Sequence, residues 1–222
     1  MKIFSKTSNH SSFLKGLVFI DQALVSGSNF LLGVLLVRSI GLENYGVFAL
    51  LWMGVLFALG INQAFITKPV LSIAPKMDEC NQEKYLTGLH SIQFLVSVLF
   101  LILGIVIFLF SNIIFEAPIL AFIPLLSGIV FCQTMHDFYR KINLIKNKIQ
   151  KVLILDVLLF GGQLIGVFIL ILIDEINLKS TLIIILGVNI LSVLIGMYKQ
   201  EFSIFNCKDI LDRHFHLSLI HI

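Results

Sequence analysis

Apolar segments about 20 residues long recur along this chain, and they restrict its fold more than any other feature. Six of them are long enough to cross the hydrocarbon core of a bilayer, which is about 30 Å thick. They cover residues 13–40, 46–66, 86–110, 117–138, 152–173 and 181–199. Because lipid offers no partner to backbone polar groups, each crossing segment must be helical. The sequence therefore predicts an all-α, polytopic membrane helix bundle of about six transmembrane helices.

The composition excludes an ordinary soluble domain. Charged residues make up only 13% of the chain and apolar residues 58%. A soluble fold with so little charge would expose large apolar patches, which drive association. The first apolar segment exceeds the 7 to 15 residues typical of a signal-peptide core and contains Asp21, Gln22 and Asn29, so we expect a permanent span.

Basic residues are unevenly distributed between the two sides that these spans create. Fourteen of the sixteen lie in the terminal segments and in the second and fourth connections, and only Arg38 and Lys179 lie on the opposite side. The fourteen are Lys2, Lys6, Lys15, Lys68, Lys76, Lys84, Arg140, Lys141, Lys146, Lys148, Lys151, Lys199, Lys208 and Arg213. Lysine and arginine in short loops favour the cytoplasmic side, so we expect both termini in the cytoplasm. The chain divides into a cytoplasmic arm at 1–12, a transmembrane lobe at 13–199 and a cytoplasmic tail at 200–222.

The first span contains a polar stripe. Gln22, Ser26, Asn29 and Gly33 follow one another at spacings of 4, 3 and 4 residues, which places them on one helical face. A stripe of this kind is unfavourable against lipid, so we expect it to face a bundle interior or a water-filled cavity. The alternative is that such residues serve as packing surfaces and interhelical hydrogen-bonding groups.

Other spans add polar candidates. Gln63 ends the second span, and Gln163 lies in the fifth beside Gly162 and Gly166, which have the spacing of a helix-packing motif. Arg38, near the outer end of the first span, either extends to the headgroups or offers its donors to a phosphate or carboxylate. The candidate substrate-binding residues are Gln22, Asn29, Arg38, Gln63 and Gln163.

Asp21 and Asp156 are the candidate ion-coupling residues. A carboxylate at the centre of a membrane helix costs about 2.5 to 3.5 kcal/mol, so it tends to persist where it functions. Both lie near cytoplasmic helix ends, so the alternative is solvation at the interface. Arg140 and Lys141 are interpreted as topology determinants that bind anionic headgroups.

No pattern typical of an enzyme is present. The sequence has no glycine-rich phosphate loop, no spacing of nucleophile and base, and no metal-ligand cluster. We expect no enzymatic activity, no cofactor, no metal and no nucleic-acid partner. The cysteines Cys80, Cys132 and Cys207 are expected to be free thiols.

The end of the first span carries a family resemblance. Residues 37–50, VRSIGLENYGVFAL, combine an arginine, a glycine turn, an acidic residue and an aromatic-glycine pair, and residues 60–69, GINQAFITKP, follow. The matching positions are Arg38, Ile40, Gly41, Glu43, Tyr45 and Gly46. This stretch resembles bacterial O-antigen and lipid-linked-oligosaccharide flippases of the multidrug/oligosaccharidyl-lipid/polysaccharide exporter superfamily.

The resemblance implies a bacterial inner-membrane transporter of polysaccharide and lipopolysaccharide biosynthesis. Such a protein flips an undecaprenyl-pyrophosphate-linked oligosaccharide by alternating access, and an ion gradient drives this movement. Its implied partners are membrane lipids and the polysaccharide assembly machinery. Family members have two six-helix lobes around a cavity, and this chain corresponds to one MATE-like lobe.

We therefore expect a second lobe on another chain, self-association, or a truncated product, and the ending at 212–222, DRHFHLSLIHI, favours truncation. The alternatives are a multidrug/cation antiporter of the same superfamily and a membrane scaffold that transports nothing.

Overall fold

The computed structural model describes the backbone of residues 3–114 and 118–198, and the side chains of residues 16–110 and 119–198. The predicted tail at 200–222 lies outside these ranges. Within them the chain is helical except for short turns, and it contains no strand. The α-helices are α1 (Ile3–Asn62), α2 (Lys68–Ile73), α3 (Glu79–Ile114), α4 (Ile123–Ile145), α5 (Ile149–Asp156), α6 (Gly162–Leu172) and α7 (Leu178–Met197). π-Helical segments at Gln63–Thr67 and Val157–Gly161 and 3-10 turns at Ala74–Lys76 and Pro118–Phe122 join them.

Helix α1 reverses direction at Gly41. This glycine has φ 80° and ψ 163°, a conformation that side-chain-bearing residues rarely adopt. An unbroken helix would separate Gly33 from Tyr45 by about 18 Å. Instead, the Tyr45 hydroxyl lies 3.3 Å from where a Cβ on Gly33 would stand. The turn predicted between the first two spans is therefore present, and α1 consists of two neighbouring arms.

Five helical segments of the described residues are long and apolar enough to cross a membrane. They are Gly16–Lys76, Glu79–Phe110, Ile119–Ile145, Ile149–Leu172 and Leu178–Met197. Because the first contains the reversal at Gly41, it supplies two crossings, and the six predicted spans are accounted for. The prediction of an all-α polytopic membrane bundle is confirmed.

One predicted boundary is wrong. The second span is predicted to end at residue 66, but the helical path continues through Pro69 to Lys76. Pro69 stands in the first turn of α2, where the missing N–H is tolerated, and the preceding π-helical segment absorbs the change of register. The helical path ends only after Pro75, where Met77 is extended.

Helix α4 is central, with α3 on one side and α7 on another. Two apolar clusters surround it: one includes Leu89, Met135 and Phe138, and the other includes Ile129 and Leu182. Helix α6 packs closely on α7, because a Cβ on Gly166 would lie 2.4 Å from Ile184 and one on Gly162 would lie 2.9 Å from Val188. The two glycines thus have the packing role that their spacing indicated.

Candidate functional site

A buried charged cluster joins α1, α4 and α5 at Arg140. The Arg140 Nε donates a hydrogen bond to Asp156 Oδ2 at 2.6 Å, and Nη2 of the same side chain donates to Asp21 Oδ2. Asp156 is fully buried and Asp21 is 5% exposed. One guanidinium therefore bridges two carboxylates that the sequence places 135 residues apart.

His136 extends this cluster to α7. It lies one turn before Arg140 on the same face of α4. Its Nε2 is 3.0 Å from Asp156 Oδ1, and its Nδ1 is 2.8 Å from Ser192 Oγ. An ionised carboxylate only accepts hydrogen bonds, so the ring donates from Nε2 to Asp156, and in the tautomer with its hydrogen on Nε2 the Nδ1 atom accepts from the Ser192 hydroxyl. The resulting network is defined here as the Arg140 cluster: Asp21, His136, Arg140, Asp156 and Ser192.

The Arg140 cluster contains two acidic side chains and one arginine. The single guanidinium contacts both carboxyl groups, and His136 contacts that of Asp156. Among the described residues, Asp21 Oδ1 is buried and accepts no hydrogen bond. Buried charges in a membrane protein are favourable only when paired. Asp21 Oδ1 is therefore the oxygen of this cluster that a further donor or cation would satisfy.

The interpretation that Asp21 and Asp156 are simply solvated at the interface is wrong, since both are buried and ion-paired. Sequence reasoning also missed Arg140 as their partner and treated it as a topology determinant. The available signal was the short α4–α5 connection. Arg140 and Asp156 flank it, and two antiparallel helices joined by a short turn place such residues at similar depth.

The polar stripe of α1 lies on the surface of the bundle. Gln22, Ser26 and Asn29 are exposed, whereas Asp21, with Ser28, Leu32 and Leu36, forms the buried face. The expectation that the stripe faces the interior of this bundle is thus not met. Leu32 and Leu36 pack inward with Asp21, and the amides lie beside this buried face rather than on it.

Arg38 and Asn29 line an open cleft of about 340 Å³ near the reversal at Gly41, with Gly33 and Tyr45. Gln63 is partly buried at the first position of a π-helical segment. These three candidates and Gln22 lie on the first helical hairpin, but the structure does not bring Gln163 to them.

Gln163 is buried in α6, and its Nε2 has no hydrogen-bond partner among the described residues. The seven-residue spacing from Asp156 would place both on one face of a regular helix. The π-helical segment Val157–Gly161 lies between them and shifts that register. Gln163 consequently makes no hydrogen bond to the Arg140 cluster in the described structure.

A second buried polar chain crosses from α1 to α4. Gln93 Nε2 donates to Asn62 Oδ1 at 3.1 Å and to Ser97 Oγ at 3.0 Å, and Ser97 Oγ lies 2.8 Å from Thr134 Oγ1. The Gln93–Asn62 and Ser97–Thr134 bonds join different helices, as expected if polar residues in membrane helices serve in packing. They tie the second arm of α1 to α3 and α4.

Comparison with known proteins gives one structural match. No family model and no curated protein sequence matches the chain. A solved structure does: a MOP superfamily transporter from Pyrococcus furiosus, described as having a binding pocket of reverse polarity that suggests a different function. The match has a TM-score of 0.69 and 15% sequence identity, and it covers 93% of this chain and 50% of that one. The chain thus spans about half the length of this neighbour, and its fold is similar to half of a MOP superfamily transporter.

Proposed function

We propose that this chain is one lobe of a membrane transporter of the MOP type. The proposal rests on one observation: the polar stripe of α1 is exposed on the surface of the bundle. The fold of this bundle is similar to half of a transporter. Exposed amides and a guanidinium at membrane depth are unfavourable against lipid, and a second lobe would enclose them in a polar cavity. Gln22, Asn29 and Arg38 would line that cavity, with Gln63 near its inner end.

The substrate class that this surface supports best is an undecaprenyl-pyrophosphate-linked oligosaccharide, such as an O-antigen repeat unit. Amides can bond sugar hydroxyls, and the planar fork of Arg38 suits a pyrophosphate. The segment VRSIGLENYG supports the same class through its resemblance to flippases. A cation antiporter is less favoured, because neither the polar stripe nor Arg38 supplies a carboxylate to this surface.

The proposed transport is ion-coupled through the Arg140 cluster. Arg140 keeps Asp21 and Asp156 paired, and the Asp21 oxygen that has no partner among the described residues accepts the coupling ion. Since the cluster joins α1, α4, α5 and α7, loading it changes the charge balance where these helices meet. Gln163, buried with a free donor, would contact substrate only in a state in which α6 and α7 separate.

We place the protein in the bacterial inner membrane, with both termini in the cytoplasm and with polysaccharide assembly enzymes as partners. The test uses vesicles that contain the chain together with a second lobe and a fluorescent lipid-linked oligosaccharide. Movement between leaflets is followed by quenching from outside.

We expect transport with the parent lobe, a large loss with Arg38→Ala and a smaller loss with Arg38→Lys. Drug efflux without oligosaccharide movement would support the antiporter instead. Absence of both activities at matched protein levels would support a scaffold.

A further inference from the structure

A groove opens sideways between α5 and α7 at the end of the bundle that carries the α4–α5 connection. Its volume is about 210 Å³. Ile154 of α5 and Ile195 of α7 form its walls and are 60% and 43% exposed. Gly196 lies at its base, where a Cβ would be 2.5 Å from the ring of Tyr139. The base of the groove is therefore formed where α7 packs closely on α4.

The polar groups of this groove are confined to one end. Lys151 lies in the first turn of α5, and Tyr198 follows the end of α7. Asn143 is buried at the base, where its Nδ2 donates to the Tyr139 carbonyl at 2.8 Å. A tyrosine with a lysine at a helix end is typical of the membrane interface, and the isoleucine walls below suit the hydrocarbon region.

Lys151 is an unpaired cation in the described structure. In the same region Lys146 Nζ lies 3.8 Å from Glu83 Oε1, and Lys141 Nζ lies 3.9 Å from Asp137 Oδ1. Within the described residues, neither Lys151 nor Lys148 has a carboxylate partner. Of these two lysines, only Lys151 lines the groove. An anionic group at the mouth of the groove would supply the missing charge.

The bilayer determines what fills such a groove. Water in an isoleucine-walled groove at membrane depth lacks hydrogen-bond partners, and an empty groove forfeits dispersion contacts. A hydrocarbon chain makes those contacts, and a phosphate joined to it reaches the ammonium. We propose that this groove binds an anionic phospholipid, with its phosphate at Lys151 and an acyl chain along Ile154 and Ile195.

This lipid site is separate from the proposed transport surface. No residue that lines the groove belongs to α1, which carries the polar stripe. The site joins α5 and α7 instead, which hold Asp156 and Ser192 of the Arg140 cluster. A bound lipid would therefore fasten together two helices that His136 also connects.

The test places a reporter indole at the groove of the full chain. Trp52 is the single tryptophan, so Trp52→Phe with Tyr198→Trp leaves one indole at the mouth of the groove. The protein is reconstituted in phosphatidylcholine vesicles that contain a minor fraction of brominated phosphatidylglycerol or, in parallel, brominated phosphatidylcholine. Bromine quenches the indole when the lipid occupies the groove. Ile154→Trp provides a second reporter position in case Tyr198→Trp disturbs folding, as judged by circular dichroism and size exclusion.

We expect the anionic lipid to be preferred by about fivefold, the ratio expected of one lysine near an anionic headgroup. Lys151→Gln should abolish this preference, and Lys148→Gln, which removes the same charge from the same connection, should preserve it. Equal quenching by both lipids, or equal losses in the two variants, would overturn the proposal in favour of nonspecific attraction. Displacement by undecaprenyl phosphate at a lower mole fraction than phosphatidylglycerol would also overturn it, since the groove would then select the isoprenoid carrier.

Discussion

At the scale of single residues, the main feature is a guanidinium that holds two carboxylates inside a membrane protein. Asp156 has both oxygens occupied, by Arg140 and His136, whereas Asp21 has one oxygen without a hydrogen-bond partner in the described structure. The two acids are therefore not equivalent. Asp156 is the structural anchor of the Arg140 cluster, and Asp21 is the acid with an oxygen that lacks a partner among the described residues.

This asymmetry predicts different effects of neutral substitutions. Arg140→Gln leaves two buried carboxylates without their cation, and removing one partner of a buried pair costs about 3–5 kcal/mol. The loss should be smaller here, because the Arg140 side chain is 21% exposed. Asp21→Asn keeps the Arg140–Asp156 pair and removes one of the two acidic groups that share a single arginine, so it should be nearly neutral or stabilising. Thermal unfolding in detergent measures both, and equal destabilisation by the two substitutions would contradict this account.

The hydroxyl of Ser192 should contribute less than either charge. Ser192→Ala removes one buried donor to His136 and should lower the free energy of unfolding by about 1 kcal/mol. Thr181→Val is the matched control on the same helix, because it removes a buried hydroxyl that has no described partner while keeping the volume of the side chain. A larger effect at Thr181 than at Ser192 would show that the hydrogen bond to His136 is not the important interaction.

At the scale of helices, close approach depends on where glycine stands. Gly166→Ala places a Cβ 2.4 Å from Ile184 and forces α6 away from α7, whereas Gly187→Ala on α7 meets nothing within 4 Å. Overpacking typically costs about 1–3 kcal/mol, and alanine in an open helical position stabilises slightly. The thermal unfolding temperature should therefore fall for Gly166→Ala and rise slightly for Gly187→Ala. Similar shifts would mean that the α6–α7 contact is not tight.

The helices also show which features the sequence could predict. Runs of apolar residues and Gly41 were sufficient for the spans and the first turn, because both depend on local composition. The inward face of α1 was not predictable in this way, since Gln22 and Asp21 are neighbours and only packing against α4 and α5 decides which is buried. The π-helical segment after Asp156 likewise has no local signal, and it separates Gln163 from the face that a regular helix would give it.

At the scale of the whole molecule, the distribution of basic residues predicts an orientation relative to the bilayer. The basic asymmetry predicts that the reversal near Asn44 is periplasmic and that the connection at Asp78 is cytoplasmic. In a background in which the native cysteines are replaced, Asn44→Cys should react with an impermeant maleimide on intact cells, and Asp78→Cys should react only after permeabilisation. Both positions are exposed, so access through the protein does not limit either reaction. Labelling of position 78 from outside would reverse the predicted topology.

The whole molecule also presents a surface that a single lobe leaves uncovered. Gln22, Asn29 and Arg38 lie along the exposed side of α1, and several unpaired polar groups against hydrocarbon cost multiple kcal/mol. We therefore predict that the 222-residue chain alone does not restore surface polysaccharide in a flippase-deficient strain, and that the same chain supplied with a second six-helix lobe does. Membrane levels should be matched by immunoblot, since degradation of the lone lobe would imitate a loss of transport.

Replacing Gln22 and Asn29 by leucine provides the physical control: it should raise the level of the lone chain while abolishing export in the two-lobe context. Restored polysaccharide from the lone chain, present as a monomer in detergent, would contradict the prediction and show that this surface needs no opposing wall.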